Sequence, residues 1–324
     1  GMEVFTALDI VTLIGDVASY SISNVTAPFD LTVQLQATRP DTGVAYHGFA
    51  ELNLDLGSGA DTLTIDQTHR TYTSVQTFDG ADTVNLRAVS GETHIRSGDS
   101  TDEINLGSAA SAGTAGDGWS VLDTLKARVV VDGGDGVEDQ LNVDDSADTL
   151  ANTGTLEATM LTGLGLAAGI EYADFEGDRQ FEALSIWLGQ GGDTFFIDDT
   201  HGSDLVDRAT TLNTGAGDDT INIEAAPGEA AQGETPRSQV WVNAGAGDDA
   251  LNVNPDIGTP GNHIEAPLNL DGQSGSDRYT IKMAGEGNSL VNVLETFQAD
   301  GQDVLEINGT SLADLFLMRA SNAA

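Results

Sequence analysis

The sequence predicts an all-β fold, a parallel β-helix or β-solenoid, and three observations carry that prediction. Gly contributes 39 of 324 residues and aromatic residues only 6%, which favours tight turns and a core of small aliphatic side chains over a helical bundle. One local pattern, a Gly-rich turn followed by an Asp and then alternating apolar positions, recurs nine times. The two ends of the chain lack this pattern, as the capping units of repeat arrays do.

The nine turns share an anchor Asp, an apolar or aromatic residue two positions later and an aliphatic residue four positions later. The anchors are Asp61, Asp82, Asp102, Asp139, Asp193, Asp219, Asp249, Asp277 and Asp303. Period-2 alternation is typical of a strand with one buried face. Because only 39% of the chain is apolar, filling all of these positions by chance is not credible. Each anchor therefore predicts the start of a half-buried strand.

The spacing of the anchors indicates the width of a coil. The shorter separations, 20 to 30 residues, fit one coil of a wide β-helix with two or three strands, not a narrow roll of tandem nine-residue repeats. The longer separations require a missed coil or an inserted loop, and residues 108–120 and 225–238, rich in Ala, Gly, Ser and Pro, are the expected loops. A right-handed coil is favoured because parallel β crossovers are almost always right-handed.

A longer repeat is superimposed on the short one. Residues 43–69 match residues 169–201, and the later turns follow in the same order, Asp82 with Asp219 and Asp102 with Asp249. We therefore divide the chain into an N-terminal cap or lead-in (1–42), a first unit (43–148), a second unit (149–285) and a last coil with a C-terminal cap (286–324). Within that cap, residues 311–320 have helical spacing of Leu and Met and are expected to cover the last coil.

The charge balance indicates cations as partners. The chain has 52 acidic and 12 basic residues, a formal net charge of −40, so it is a poor ligand for nucleic acid or for an anionic membrane. No apolar run is long enough for a transmembrane helix. Asp outnumbers Glu by 36 to 16, and its position beside Gly points to turns rather than to salt adaptation or simple solubility. Because Cys is absent, no disulfide can cross-link the fold, and a bound metal is the expected alternative.

Stacked Gly/Asp turns have the chemistry that calcium requires. Ca²⁺ takes six to eight oxygens from carboxylates and backbone carbonyls, and Gly lets a turn reach positive φ. Turns of adjacent coils would lie about 4.8 Å apart, so one ion could be shared between them and offset the repulsion within a row of carboxylates. For any single turn, the alternative is an Asp/Gly β-turn that binds no metal.

These residues resemble the haemolysin-type calcium-binding repeat of the RTX (repeats-in-toxin) family, whose pattern is Gly-Gly-x-Gly-x-Asp-x-apolar-x. The resemblance extends from Gly57 to Ile307 and is partial. Only GGDGVED, from Gly133, opens with paired Gly, and it carries one extra residue before its Asp. In most other turns the first Gly is replaced, by Leu56, Leu188, Thr214 and Ala244 among others.

The resemblance implies a calcium-binding structural or adhesive segment of a giant bacterial secreted or cell-surface protein, exported by type I secretion and located outside the cell. It implies metal ligation by the nine anchor Asp residues and by the carbonyls of Gly57, Gly59, Gly80, Gly134, Gly136, Gly189, Gly191, Gly215, Gly217, Gly245, Gly247 and Gly275. The turns at Asp102 and Asp139 fit the pattern less well. Further expected partners are cell-surface or matrix glycans, or neighbouring repeats of the same protein.

Two other functions remain open. A polysaccharide lyase or epimerase would need basic residues beside carboxylates, but the ten Arg and two Lys are scattered; a cluster of Arg, Tyr and His in one groove would support this reading. An ice- or surface-binding solenoid would use an outward array such as Asn85, Asn105, Asn142, Asn222 and Asn252, although irregular coil lengths would spoil a flat lattice match. No zinc, nucleophile or phosphate-loop motif is found, and we expect no enzyme activity.

Overall fold

The computed structural model describes residues 10–14, 20–26, 30–35, 43–46, 49–107, 120–136, 138–172, 181–200, 208–226, 238–253, 264, 266–283, 290–296 and 301–309. These residues form an all-β structure with a single 3₁₀ turn at Leu122–Thr124. The expected loops at 108–120 and 225–238 and the expected cap at 311–320 lie wholly or largely outside the described residues.

Twenty-five strands are described. In chain order they are β1 (Ile10–Ile14), β2 (Tyr20–Thr26), β3 (Asp30–Leu35), β4 (Gly43–Tyr46), β5 (Glu51–Asp55), β6 (Thr62–Ile65), β7 (Tyr72–Gln76), β8 (Thr83–Leu86), β9 (Glu92–Arg96), β10 (Glu103–Leu106), β11 (Val129–Asp132), β12 (Gln140–Asp144), β13 (Thr153–Leu156), β14 (Met160–Gly163), β15 (Ile170–Glu171), β16 (Ala183–Trp187), β17 (Thr194–Ile197), β18 (Arg208–Asn213), β19 (Thr220–Ile223), β20 (Ser238–Asn243), β21 (Ala250–Val253), β22 (Leu268–Asp271), β23 (Arg278–Lys282), β24 (Val291–Leu294) and β25 (Val304–Asn308).

The strands form two long sheets, and the chain crosses from one to the other. Sheet A has 13 strands in the order β1-β5-β7-β9-β11-β15-β14-β13-β17-β19-β21-β23-β25. Sheet B has 12 strands in the order β24-β22-β20-β18-β16-β12-β10-β8-β6-β2-β3-β4. Except at β2–β3–β4 and β13–β14–β15, neighbours pair in parallel. A regular coil therefore contributes one strand to each sheet.

The core lies between the two sheets. Strands such as β6 and β17 alternate buried residues with exposed or partly exposed ones, as the sequence pattern predicts, and their buried side chains join one continuous apolar cluster. Most of this core is Leu, Ile and Val, with a few buried aromatics such as Tyr172, Phe181 and Phe195. Stacking these apolar rows, coil on coil, removes them from water and supplies the main stabilisation of the array.

The antiparallel insert β13–β14–β15 interrupts sheet A between β11 and β17. Before this insert, the Gly/Asp turns lead into sheet B, as at β6 and β8; after it, they lead into sheet A, as at β17 and β19. Strands that correspond in the two sequence units, such as β6 and β17, thus lie in opposite sheets. The Asp turns of the two halves consequently lie at opposite corners of the coil.

The C-terminal end of the core is open among the described residues. Tyr279 and Ile281 of β23 are 2% and 5% exposed, whereas their register partners in β25, Leu305 and Ile307, are 47% and 39% exposed. The apolar stack thus continues into β25 without a described strand to cover it.

Candidate functional site

The nine anchor Asp residues form two columns, one at each corner of the coil. The strand register aligns Asp61, Asp82, Asp102 and Asp139 as the first column, at the starts of strands in sheet B. It aligns Asp193, Asp219, Asp249, Asp277 and Asp303 as the second column, in sheet A. All except Asp303 are at most 3% exposed. The anchors that fit the sequence pattern less well, Asp102 and Asp139, occupy their column like the others.

Each column is a ladder of backbone-to-carboxylate hydrogen bonds. In the first column, the Asp61 N–H donates to Asp82 Oδ1 (2.7 Å), the Asp82 N–H to Asp102 Oδ1 (2.8 Å) and the Asp102 N–H to Asp139 Oδ1 (2.8 Å). Because the donor is always one coil earlier than the acceptor, each carboxylate joins two coils. The anchor Asp therefore has a structural role that requires no metal.

The second column repeats the arrangement. The Asp193 N–H donates to Asp219 Oδ1 (2.6 Å), and the Asp219 N–H donates to Asp249 Oδ1 (2.8 Å). The Asp249 N–H donates to Asp277 Oδ1 (2.9 Å), and the Asp277 N–H donates to Asp303 Oδ1 (3.0 Å). The same local sequence thus gives the same contact at both corners.

The second carboxylate oxygen is the unusual feature of the ladder. Oδ2 of Asp82, Asp102, Asp219 and Asp249 is buried and has no hydrogen-bond partner among the described residues. Three hydroxyls lie near these carboxylates, Thr77 at Asp82, Ser97 at Asp102 and Thr214 at Asp219. Each of these hydroxyls donates its proton to a backbone carbonyl of the next coil. A buried oxygen that carries charge and lacks a partner is costly, so these atoms mark the position where a cation would be most favourable.

Burial and mutual repulsion raise the pKa of the ladder carboxyls. Burial is the largest cause, neighbouring carboxylates add to it, and the backbone hydrogen bond of the ladder opposes it. The pKa of Asp102 and of Asp219 is raised to about 6, and that of Asp139 and of Asp249 to about 7. At neutral pH without a cation, part of the ladder is therefore ionised, and this ionisation destabilises the folded state.

This raised pKa gives the metal-free protein a definite pH dependence. Since the folded pKa of these carboxyls exceeds their unfolded value of about 3.9, the folded state binds more protons. Their contribution to stability is full below about pH 4 and is lost as the pH rises through the folded values of about 6 to 7. We therefore expect the thermal midpoint in chelator to fall from pH 5 to pH 8, measured by circular dichroism. A midpoint that stays constant or rises over this interval would contradict the prediction.

The turn glycines allow a close backbone approach between coils. Eight of the twelve predicted ligand glycines have positive φ; the exceptions are Gly59, Gly136, Gly189 and Gly191. A Cβ added to Gly217 would lie 2.5 Å from the carbonyl oxygen of Gly191, one coil earlier. A Cβ added to Gly247 would lie 2.0 Å from the carbonyl oxygen of Gly217. The carbonyls of Gly215 and Gly245 already accept the N–H of Ala246 and of Ser274. The Gly245 carbonyl also accepts the Ser274 hydroxyl (3.2 Å). These carbonyls thus join the coils, and at Gly215 only the second lone pair is left for an ion.

The residues at the inner ends of both columns were not predicted from the sequence. The Asn152 N–H donates to Asp193 Oδ1 (2.7 Å), so Asn152 begins the second column. Glu182 ends the first, since its Oε2 accepts the Asp139 N–H (2.8 Å), and buried Arg208 occupies the next register position. The apolar residues Leu184 and Ile186, two and four positions after Glu182, could have identified Glu182 as an anchor. Asn152 could not be found in this way, because it is an amide and Gly154 stands two positions later, where the pattern requires an apolar side chain.

A second acidic group lies at the open end of the second column. Asp277, Glu295 and Asp303 each place a carboxylate oxygen within 4.8 Å of the others. The Tyr279 hydroxyl donates to Glu295 (3.0 Å), and burial, followed by the charges of the neighbouring acids, raises the pKa of Glu295 to about 7. Glu295 was not predicted, because it belongs to no Gly/Asp turn.

The first acid of each GAGDD turn, immediately before the anchor Asp, faces solvent. Asp218 and Asp248 are exposed. They form a short outer ladder in which the Asp248 N–H donates to Asp218 Oδ1 and the Ser276 N–H to Asp248 Oδ1, both at 2.9 Å.

Tyr, His and Arg do come together, on the outer face of sheet A. The rings of Tyr72 and His94 are 5.0 Å apart, and Glu92 bonds to both His94 (2.7 Å) and Arg128 (3.2 Å). Arg128 also forms an ion pair with Glu171. Because two carboxylates hold this guanidinium, its charge is not available to an acidic sugar.

The outward Asn residues of sheet B form an amide ladder. The Asn105 amide donates to Asn85 Oδ1 (2.9 Å), and the Asn142 amide donates to Asn105 Oδ1 (2.8 Å). All three are at most 6% exposed, so this row contributes little to any surface lattice. In sheet A, Asn252 donates to Asn222 in the same way (3.2 Å).

Comparison with known proteins adds no identification. No family model, curated protein or solved structure matches the chain. No described helix has the length and apolar character needed to cross a membrane.

Proposed function

We propose that this chain is a calcium-binding structural and adhesive segment of a secreted or surface-exposed protein, a right-handed β-solenoid rigidified by Ca²⁺ at its Asp columns. One observation supports the proposal most directly. In each ladder, carboxylate oxygens are buried without a partner, as at Asp102 and Asp249. The turn itself uses only one oxygen of each Asp, which accepts the N–H of the preceding coil. The second oxygen is therefore available to bind a cation.

The donor set suits calcium. Carboxylates and backbone carbonyls are the hard oxygen ligands that Ca²⁺ prefers. A divalent cation beside Asp219 and Asp249 would offset both their desolvation and their mutual repulsion. The group of Asp277, Glu295 and Asp303 offers three further carboxylates at one position. The net charge of −40 favours capture of cations over the whole surface.

The proposal predicts a large thermal response to calcium. We expect the midpoint in about 1 mM EDTA to rise when calcium is added in excess, since extracellular calcium modules bind with Kd of about 0.1–1 mM. At a hundredfold excess over Kd, each occupied site stabilises the fold by about 2.7 kcal/mol. Circular dichroism melting with and without CaCl₂ measures this shift.

Magnesium is the control for this melting experiment. It demands a tighter octahedral geometry and gives up its water reluctantly, so it should raise the midpoint much less at equal concentration and ionic strength. An unchanged midpoint in EDTA, or an equal shift with both cations, would refute a calcium site.

The two alternative functions gain little support from the described residues. A polysaccharide-active enzyme would need a free cation, but Arg128 is held by Glu92 and Glu171. An ice-binding array would need exposed amides, but Asn105 and Asn142 are buried and paired with each other. We therefore keep a non-enzymatic, calcium-dependent role as the proposal.

A further inference from the structure

The outer surface of β16, β18 and β20 carries no charged side chain. We name it the neutral face, and its residues are Ala183, Ser185, Trp187, Ala209, Thr211, Asn213, Gln239, Trp241 and Asn243. In a chain with 52 acidic residues, this face offers only hydroxyl, amide, methyl and indole groups. It is therefore unsuited to metal ions and to charged polymers alike.

Two of the chain's three Trp residues lie on this face. Trp187 aligns with Asn213 and Asn243, and Trp241 lies two residues before Asn243. The two Trp residues are separated by two strand spacings across the sheet and by two residues along it. Their Cα atoms are therefore about 12 Å apart. Trp241 is 37% exposed and Trp187 is partly exposed. Two accessible indoles on one uncharged face offer a large apolar area together with N–H donors, the combination for which Trp is enriched at binding interfaces.

The polar groups between the indoles are held in place. The Asn243 amide donates to Asn213 Oδ1 (2.8 Å), which holds both partly exposed amides in place. An amide group can exchange further hydrogen bonds beyond this one. The flanking acids are engaged elsewhere. Asp144 accepts the Ser146 N–H (2.9 Å), and Asp271 accepts from Gln273 and Thr296; both acids are largely buried. The neutral face thus extends to its neighbouring strands without an exposed carboxylate.

We infer that the neutral face binds a neutral glycan. The C–H faces of a pyranose ring pack on an indole, while its hydroxyls exchange hydrogen bonds with amides and hydroxyls such as those of Thr211 and Asn213. A polyanionic glycan is opposed by the net charge of −40, and a polycation finds no exposed carboxylate here. This inference rests on the adhesive part of the proposed function and specifies its ligand class and surface.

The test is binding of defined sugars by the intact chain in excess calcium. Neutral hexasaccharides of glucose and of galactose, in α and β linkage, are titrated against tryptophan fluorescence and by calorimetry, with polygalacturonate as the acidic comparison. We expect at least one neutral sugar to bind and polygalacturonate not to bind. Trp187→Ala and Trp241→Ala should each weaken binding by about tenfold or more, whereas Tyr72→Ala, on the outer face of sheet A, should not.

Several results would overturn the inference. These are binding by none of the neutral sugars, binding of polygalacturonate instead, or sugar binding that survives both Trp substitutions. The calcium-dependent melting shift of each variant separates the two proposals. A normal shift without sugar binding rejects the neutral face alone, and sugar binding without a calcium shift rejects the calcium sites alone.

Discussion

Replacing Asp219 and Asp249 together with Asn is expected to raise the thermal midpoint of the metal-free protein and to remove most of the calcium response of the second column. An Asn side chain keeps the Oδ1 acceptor for the N–H of the preceding coil. It also removes two buried charges whose pKa burial raises to about 6 and about 7. Without metal, the substitution relieves the repulsion between the ladder carboxylates. With calcium, it removes two of the carboxylates proposed to bind the ion.

Melting in EDTA and in CaCl₂ separates these two effects. Each lost site should reduce the calcium-dependent stabilisation by about 2.7 kcal/mol at a hundredfold excess over Kd. The matched control is Asp218→Asn with Asp248→Asn, which makes the same change in net charge at the exposed neighbours in the same turns. If both double variants respond alike, the calcium effect is a general screening of charge and not a site in the ladder.

The same pair changed to Ala should behave differently. Ala lacks the acceptor, so the N–H groups of Asp193 and Asp219 lose their partners, and each buried donor left unsatisfied costs about 1–3 kcal/mol. The Ala variant should therefore melt lower than wild type in both buffers. An Asn variant that also melts lower in EDTA would mean that the carboxylate charge itself stabilises the ladder.

The sequence was sufficient for the strands and the anchors, because both depend on local pattern. Leu63 and Ile65 follow Asp61 at the spacing of a half-buried strand, and the structure buries both. Replacement of the first Gly at Leu56, Leu188, Thr214 and Ala244 also has a local reason. All four are buried, so that position faces the core and accepts a side chain.

The arrangement into two columns could not be predicted, because it depends on long-range pairing. The 153–172 region supplies three strands to sheet A, and this insert moves the later Gly/Asp turns to the other corner. Nothing in the turn sequences distinguishes Asp82 from Asp219. Glu295 lies beside Asp277 only because β24 precedes β25 at the end of the array. Contacts of this kind are set by stacking and not by a motif.

Replacing Gly247 with Ala is expected to be among the most destabilising single changes in the array. Gly247 has φ of +144°, a conformation that side chains rarely adopt. An added Cβ would lie 2.0 Å from the carbonyl oxygen of Gly217. Backbone strain and the clash together should cost about 3 kcal/mol or more. Thermal melting measures the loss, and hydrogen exchange should locate it in β19, β21 and β23.

The matched control is Gly59→Ala, at the corresponding position of a turn in the first column. Gly59 has no positive φ, and a Cβ there meets nothing within 4 Å, so the free energy of unfolding should change by about 1 kcal/mol or less. Since the clash at Gly247 separates adjacent turns of the second column, its substitution should also weaken the calcium response, which Gly59→Ala should leave intact. Equal effects at the two positions would show that contact between adjacent turns does not stabilise the array.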